Sequence, residues 1–230
     1  MRKIKLLILI ILSLSVYFIY QKTKNTKETI LVLGDYLSIG VDSYYSHSYS
    51  YIDYYKEYSN KKNTSIKNYS KKDLTIKESL NMIKKEPSIK RELREADLLI
   101  INLGYNDLLF KLAIEEKIDM NKIMKEISIN YKELQTEIRK FYKEKIIIIG
   151  YPQSYRDDYY QNVGITRINS LLEENKKEKD IYINTYILLK NRKEYFSNPN
   201  SNYPNQKAYQ LIGKEILSKN TWKIKKYLIY

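Results

Sequence analysis

Three short polar segments carry the residue types that hydrolytic chemistry requires. Residues 34–38 read Gly-Asp-Tyr-Leu-Ser directly after an apolar run at 30–33. Residues 104–107 read Gly-Tyr-Asn-Asp after a second apolar run, and residues 200–205 read Asn-Ser-Asn-Tyr-Pro-Asn. Hydroxyl groups, carboxylates and amide donors for a developing oxyanion are the groups that acyl transfer uses. Because the first two segments each follow a strand-like run, we expect both at the carboxyl edge of a sheet.

In content and order, these segments resemble the sequence blocks of the SGNH, or GDSL, hydrolases, a superfamily of esterases and lipases. The first block of that family is Gly-Asp-Ser-Leu-Ser, the third is Gly-x-Asn-Asp and the last is Asp-x-x-His-Pro-Asn. The order and spacing match over residues 29–219, which is nearly all of the chain beyond its N-terminal segment. The resemblance implies the SGNH-hydrolase fold and a cleft built from these blocks.

The resemblance also places the catalytic triad of the family on residues that do not match it. Tyr36 stands at the nucleophile position, Asn200 at the acid position and Tyr203 at the base position. Neither an asparagine nor a tyrosine, whose phenol has a pKa of about 10, accepts a proton near neutral pH. We therefore expect no intact triad. The resemblance assigns the oxyanion and cleft positions to Gly34, Asp35, Tyr36, Gly104, Asn106 and Asp107.

Substitute catalytic groups are open alternatives. Ser38 is a possible replacement nucleophile, with His47 as its base. Against this, the serine at the position of Ser38 in the family starts a helical turn. A lone histidine in a polar segment, such as His47, is typical of a solvated loop. Asn106 either donates to an oxyanion or hydrogen-bonds the loops between strands. The stretch 68–73 lacks the glycine that supplies a further donor in the family, so Ser70 or Asp73 takes that place.

Composition excludes several kinds of site. The 230 residues include no cysteine and one histidine, so we expect neither a cofactor nor a metal site built on these residues. The formal net charge of +14 favours anionic polymers or anionic lipid headgroups as partners. A bias towards Lys, Ile, Asn and Tyr, as in AT-rich coding sequences, explains the same surplus. The basic residues are spread along the chain without a nucleic-acid module, so we expect no nucleic-acid partner.

The N-terminus is expected to hold the protein at a membrane. Arg2, Lys3 and Lys5 precede an uncharged apolar run that extends to Tyr20, close to the lower limit for spanning a bilayer. No small-residue cleavage site follows, so residues 1–20 are interpreted as an uncleaved signal-anchor and transmembrane helix, with residues 4–20 in the membrane. Residues 21–28 form a polar tether, and residues 29–230 form one domain that faces outside the cytoplasm, or is secreted if the signal is cleaved.

Strand-like and helical segments alternate along that domain. Short runs rich in β-branched residues at 30–33, 65–68, 98–103, 145–149 and 181–184 predict strands covered on both faces. Apolar residues at helical spacing predict helices at about 121–143 and 205–219. The pattern predicts an α/β protein with a parallel five-stranded sheet in a three-layer α/β/α, doubly wound, flavodoxin-like arrangement.

These observations favour a membrane-anchored pseudoesterase that binds or scaffolds cell-envelope ligands, with an anionic or acylated glycan as its further partner. One alternative is an active ester hydrolase with a rearranged nucleophile. Another is a structural partner of other membrane proteins, acting through residues 1–20. A nucleotide-binding flavodoxin-like protein fits less well, because no glycine-rich phosphate loop follows the first strand.

Overall fold

The computed structural model describes residues 12–17, 28–41, 49–59, 64–152, 159–196 and 203–220. Their centre is one sheet of five parallel strands in the order β2-β1-β3-β4-β5. The strands are β1 (Glu28–Gly34), β2 (Thr64–Asn68), β3 (Leu98–Asn102), β4 (Ile146–Ile149) and β5 (Ile181–Ile183). The predicted α/β class with a parallel five-stranded sheet is confirmed.

Helices connect the strands. They are α1 (Tyr51–Ser59), α2 (Ile76–Lys85), α3 (Pro87–Glu95), α4 (Tyr105–Ile114), α5 (Met120–Phe141), α6 (Tyr159–Glu174), α7 (Thr185–Leu189) and α8 (Gln206–Asn220), with a 3₁₀ turn at Lys193–Tyr195. The two helices predicted from apolar spacing correspond to α5 and α8.

Strand order determines where these helices lie. The chain moves from β1 to β2 in one direction and from β3 to β5 in the other, and right-handed crossovers place the connecting helices on opposite faces. Consistent with this, α1 packs on α8, whereas α5 packs on α2, α4 and α6. The direction reverses between β1 and β3, and the carboxyl ends of such neighbouring strands form the ligand crevice in open parallel sheets.

The sheet is buried on both faces, as its composition predicts. All four residues of β4 are isoleucines with no exposed surface, and every residue of β3 is buried. Local sequence signals determine where the helices begin. At the start of α2, the Thr75 side chain accepts the Glu78 N–H and the Glu78 carboxylate accepts the Thr75 N–H. These two reciprocal bonds form a capping box. At the start of α5, the Asp119 side chain serves as the cap by accepting two backbone N–H groups.

The N-terminal prediction falls mostly on residues that the structure does not describe. Residues 12–17 are helical with exposed side chains, and the remainder of residues 4–20 lies outside the described ranges. Among the described residues, no helix has both the length and the apolar character needed to cross a bilayer.

Candidate functional site

The segments 34–38 and 104–107 meet at the carboxyl ends of β1 and β3. Gly34 pairs with Asn102 in the sheet register, and the Asp35 N–H donates to the Asn102 carbonyl at 3.1 Å. Gly104 follows β3, has a φ of 128° and precedes α4 directly. A φ of this sign favours glycine because an L side chain is strained there. The predicted cleft segments are therefore neighbours in space.

Asp35 is a fully buried carboxyl group. Its Oδ2 accepts the Tyr151 hydroxyl at 2.6 Å, and its Oδ1 accepts the Leu37 N–H at 3.2 Å. Burial raises the pKa of Asp35 to about 8, because desolvation penalises the charged form more than these two hydrogen bonds favour it. The nearby Asp107 carboxylate raises the pKa further. Asp35 therefore retains its proton at neutral pH.

Four aromatic rings pack together around residue 36. We call Tyr36, Tyr105, Tyr151 and Tyr203 the tyrosine cluster. The Tyr36 ring stands edge-on to Tyr203 at 4.9 Å between centroids and tilted to Tyr105 at 5.5 Å, and Tyr105 lies 5.4 Å from Tyr151. Aromatic pairs at these separations attract each other. Only 3% of the Tyr36 side chain is exposed, and burial raises the pKa of its phenol well above the usual value, so the hydroxyl stays neutral.

Ser38, the candidate substitute nucleophile, points into the protein. Its side chain has no exposed surface, and its Oγ lies 2.6 Å from the Tyr51 hydroxyl of α1. The Ser38 N–H donates to the Asp35 carbonyl at 3.0 Å, which closes a tight turn. This turn brings Ser38 so close to Gly34 that a Cβ at position 34 would lie 2.0 Å from the Ser38 Oγ.

Asn106 uses both protons of its side-chain amide within the fold. The Nδ2 donates to the Lys72 carbonyl at 3.0 Å and to the Leu74 carbonyl at 3.1 Å, and the residue is 6% exposed. An amide nitrogen carries two hydrogens, so neither is directed at the cleft. Of the two roles considered for Asn106, this geometry favours the tie between α4 and the loop that follows β2.

We expect Asn106→Ala to lower the free energy of unfolding by about 2–3 kcal/mol, because one buried and one partly buried carbonyl would lose their donors. Urea denaturation followed by circular dichroism measures the change. Asn81→Ala, at an exposed position of α2, is the control and should change stability by less than about 0.5 kcal/mol. An Asn106→Ala variant as stable as the parent would mean that the amide protons are available to an oxyanion.

Asp107 also serves the fold around the cleft. Its Oδ2 accepts the Ile76 N–H at 3.0 Å, at the first residue of α2. Burial raises the pKa of Asp107 to about 6, although this hydrogen bond opposes the shift. The Asp107 carboxylate thus joins α4 to the first residue of α2. Asn106, one residue earlier, joins α4 to the loop that precedes α2.

At the place expected for a further oxyanion donor, the backbone N–H groups are committed to other bonds. The Ser70 N–H donates to the Asn68 Oδ1 at 3.0 Å, and the Lys71 N–H donates to the Gly34 carbonyl at 3.1 Å. The Ser70 Oγ is buried 3.2 Å from where a Gly34 Cβ would stand, whereas Asp73 is exposed.

The C-terminal segment brings one of its predicted residues to the cleft. Tyr203 is partly buried against Tyr36, and Pro204 bridges to Phe196. Asn205 accepts the Lys207 N–H at 3.0 Å and begins α8. Asn200 and His47 lie outside the described residues. Within the described ranges, no cluster of carboxylate or imidazole groups is arranged to hold a metal ion.

Solved structures with a similar fold include esterases and lipases. A lipase from a goat rumen metagenome superposes with a TM-score of 0.70 and 21% identity over 84% of this chain and 97% of that one. The chain has an SGNH/GDSL hydrolase-like fold. A lipase/acylhydrolase from Enterococcus faecalis aligns with a TM-score of 0.63 and 19% identity over 85% of this chain and 96% of that one. A catalytic mutant of an acetylxylan esterase from Geobacillus stearothermophilus aligns with a TM-score of 0.63 and 13% identity over 85% and 94% of the two chains.

Similarity at the sequence level is weaker. No protein-family model matches this SGNH-like chain, and no curated protein matches it. The similarity to the solved structures therefore concerns the fold of the chain.

Two members of the tyrosine cluster were missed by sequence reasoning. Tyr151 follows β4 by two residues, and Tyr105 lies inside the Gly-x-Asn-Asp segment at its variable position. The Gln161 amide of α6 donates to the Tyr105 hydroxyl. The rule that placed the other segments, position directly after a parallel strand, would also have selected Tyr151.

Proposed function

We propose that this SGNH-like chain is a membrane-anchored, extracytoplasmic pseudoesterase that binds or scaffolds an acylated or anionic cell-envelope ligand without hydrolysing it. The observation that carries the proposal is the tyrosine cluster, in which the buried ring of Tyr36 stands at the position of the motif's serine and packs against Tyr105, Tyr151 and Tyr203. The committed amide of Asn106 and the inward-facing hydroxyl of Ser38 also support it.

The proposal names a ligand class and a cellular location in addition to the fold. The acetylxylan esterase with the same fold acts on an acetylated polysaccharide by its name, which supports an acylated glycan as the ligand of this cleft. The apolar run at 6–20, which the structure describes only at 12–17, supports the anchor. Tyr203 keeps part of its ring exposed and supplies the surface on which a sugar ring stacks, whereas Tyr36 lies too deep for that role.

The test uses the full chain in detergent micelles and two measurements. The first is binding of O-acetylated glycan fragments, which we expect to be saturable and to weaken about tenfold in Tyr203→Ala because a stacking surface is lost. Lys56→Ala, on the exposed surface of α1, is the control and should bind as the parent does. Circular dichroism of each variant establishes that the domain is folded.

The second measurement decides between a pseudoesterase and an active hydrolase. We expect neither turnover of short-chain aryl esters nor covalent labelling by a fluorophosphonate. Labelling that disappears in Ser38→Ala would identify Ser38 as a nucleophile and establish the alternative of a rearranged esterase. Absence of saturable glycan binding by a folded chain would refute the ligand assignment.

A further inference from the structure

A cationic groove runs between α5 and α6, on the face of the sheet away from α1 and α8. Two cavities of about 610 Å³ and 590 Å³ lie end to end along it and share Lys132, Glu174 and Asn175 in their walls. We call this feature the α5–α6 groove. The tyrosine cluster contributes nothing to its walls, so the groove is separate from the cleft.

The walls of the groove carry mostly positive charge. Glu174 is the sole acidic side chain among the described residues that line the two cavities. Eight cationic side chains line them: Lys125, Lys132, Arg139, Lys140, Lys143, Arg167, Lys176 and Lys177. A concave surface with this imbalance concentrates the field of its charges and attracts anions.

Several of these cations form no ion pair with another residue of the described ranges. Arg139 pairs with Asp180 and Lys140 pairs with Glu137, so their charges serve the fold. Within the described ranges, Lys125, Lys132, Lys176 and Lys177 form no ion pair. Lysines near a helix C-terminus are also explained by the helix dipole. Lys125 and Lys132 lie in the first and middle parts of α5, where that explanation does not apply.

The spacing of the cations suits an extended ligand. Lys125 and Lys132 lie seven residues apart, which places them on one side of α5 about 10 Å from each other. Lys176 and Lys177 extend the row on the opposite wall, just beyond the end of α6. A row of charges along a groove favours a polymer with repeating anionic groups over a single compact anion.

The uncharged lining indicates which polymer fits. Hydroxyl and amide side chains line the groove between the cations, namely Asn121, Ser128, Gln135, Thr136, Ser170 and Asn175. No aromatic side chain is among the described lining residues, whereas proteins that bind single-stranded nucleic acids stack bases on aromatic rings. The lining therefore matches a polymer of sugar or polyol units.

We propose that the α5–α6 groove binds an extended polyanion built on a sugar or polyol chain, with phosphodiester or carboxylate charges. The inference rests on the proposed function only for the cellular source of the polymer, which would be the cell envelope. The chain then has two sites on different faces: the cleft for an acylated ligand and the groove for a charged strand.

The test measures binding of two fluorescent probes, a poly(glycerol phosphate) oligomer and a polygalacturonate oligomer, to the full chain in neutral detergent micelles. The groove variant combines Lys125→Gln, Lys132→Gln and Lys177→Gln. The control variant combines Lys56→Gln, Lys190→Gln and Lys207→Gln, which removes the same charge from exposed positions on α1, on the residue after α7 and on α8. Circular dichroism of both variants verifies the fold.

We expect at least one probe to bind with an affinity that falls as salt rises, and to bind the groove variant about tenfold more weakly than the control variant. The slope of log affinity against log salt should decrease by about one for each lysine that contacts the polymer. The probe that binds more tightly distinguishes phosphodiester from carboxylate charges. Equal affinity of the two variants would overturn the proposal, as would tighter binding of a single-stranded oligonucleotide of equal charge.

The result of the polyanion-binding experiment does not depend on the function of the cleft. Tyr203→Ala should leave polyanion binding unchanged and weaken only the acetylated glycan. If the parent chain binds the polyanion but shows no saturable glycan binding, the proposed function of the cleft is refuted and the groove assignment stays in place.

Discussion

Asp35→Asn is expected to make the stability of the domain less dependent on pH and to stabilise it in alkaline solution. The Asp35 carboxyl is buried, and its pKa in the folded protein is about 8, against 3.8 for an unperturbed aspartate. Between these values the folded state holds a proton that the unfolded state has released. Each pH unit in that window therefore lowers the free energy of unfolding by about 1.4 kcal/mol.

The contribution of Asp35 is fully present below pH 3.8 and is lost as pH rises through about 8. We expect the stability difference between Asp35→Asn and the parent to grow by an amount on the order of 5 kcal/mol from pH 4 to pH 9. The asparagine still accepts the Leu37 N–H through its oxygen and faces Tyr151 with its amide. Urea unfolding at a series of pH values measures the difference.

Asp107→Asn provides the comparison, because the pKa of Asp107 is raised to about 6. Asp107→Asn should change the pH dependence of stability only below about pH 6. The decrease in the free energy of unfolding between pH 6 and pH 8 should remain. An Asp35→Asn variant with the same pH profile as the parent would mean that Asp35 is ionised in the folded protein at neutral pH.

Tyr36→Ser is expected to destabilise the domain by about 3–5 kcal/mol and to produce no esterase activity. The substitution restores the hydroxyl of the family motif, but it removes a ring that packs against Tyr105, Tyr151 and Tyr203. Deleting a large buried aromatic side chain leaves a cavity, and its cost is of this size. The base position would still hold Tyr203, and the amide protons of Asn106 would still be donated to the Lys72 and Leu74 carbonyls.

Tyr36→Phe separates packing from the hydroxyl group. It keeps all three ring contacts, so its stability should remain within about 1 kcal/mol of the parent. Thermal unfolding and aryl-ester turnover are measured for both variants. Ester hydrolysis by Tyr36→Ser above that of Tyr36→Phe would show that the cleft still contains a working base and oxyanion donors.

The sheet could be predicted because its signals are local. Each strand is a short apolar run. Residues 146–149 are four isoleucines, a pattern that predicts a strand covered on both faces, and all four are buried. The boundaries shifted by a residue or two because hydrogen bonding extends β1 to Glu28 and stops β3 at Asn102. The weak run at 65–68 became the edge strand β2, which has exposed residues.

The chemical state of the cleft could be predicted only in part. The sequence placed Gly34 and Asn106 at neighbouring strand ends, but it left the role of the Asn106 amide open between two functions. The answer depends on the positions of the Lys72 and Leu74 carbonyls, about thirty residues away in the chain. The pKa of Asp35 depends likewise on burial beneath Tyr151, which lies 116 residues away. Such long-range contacts leave no local pattern.

The crowding of Gly34 against Ser38 has a consequence for the way in which this segment changes over evolutionary time. Any side chain at position 34 would collide with the turn, Asp35 and Leu37 are wholly buried, and Ser38 is bonded to Tyr51. Folding alone therefore constrains these four positions, whether or not a reaction takes place beside them. A lineage that abandons hydrolysis would therefore retain these four residues because the fold requires them. The presence of the motif then reflects ancestry and is not by itself evidence of catalysis.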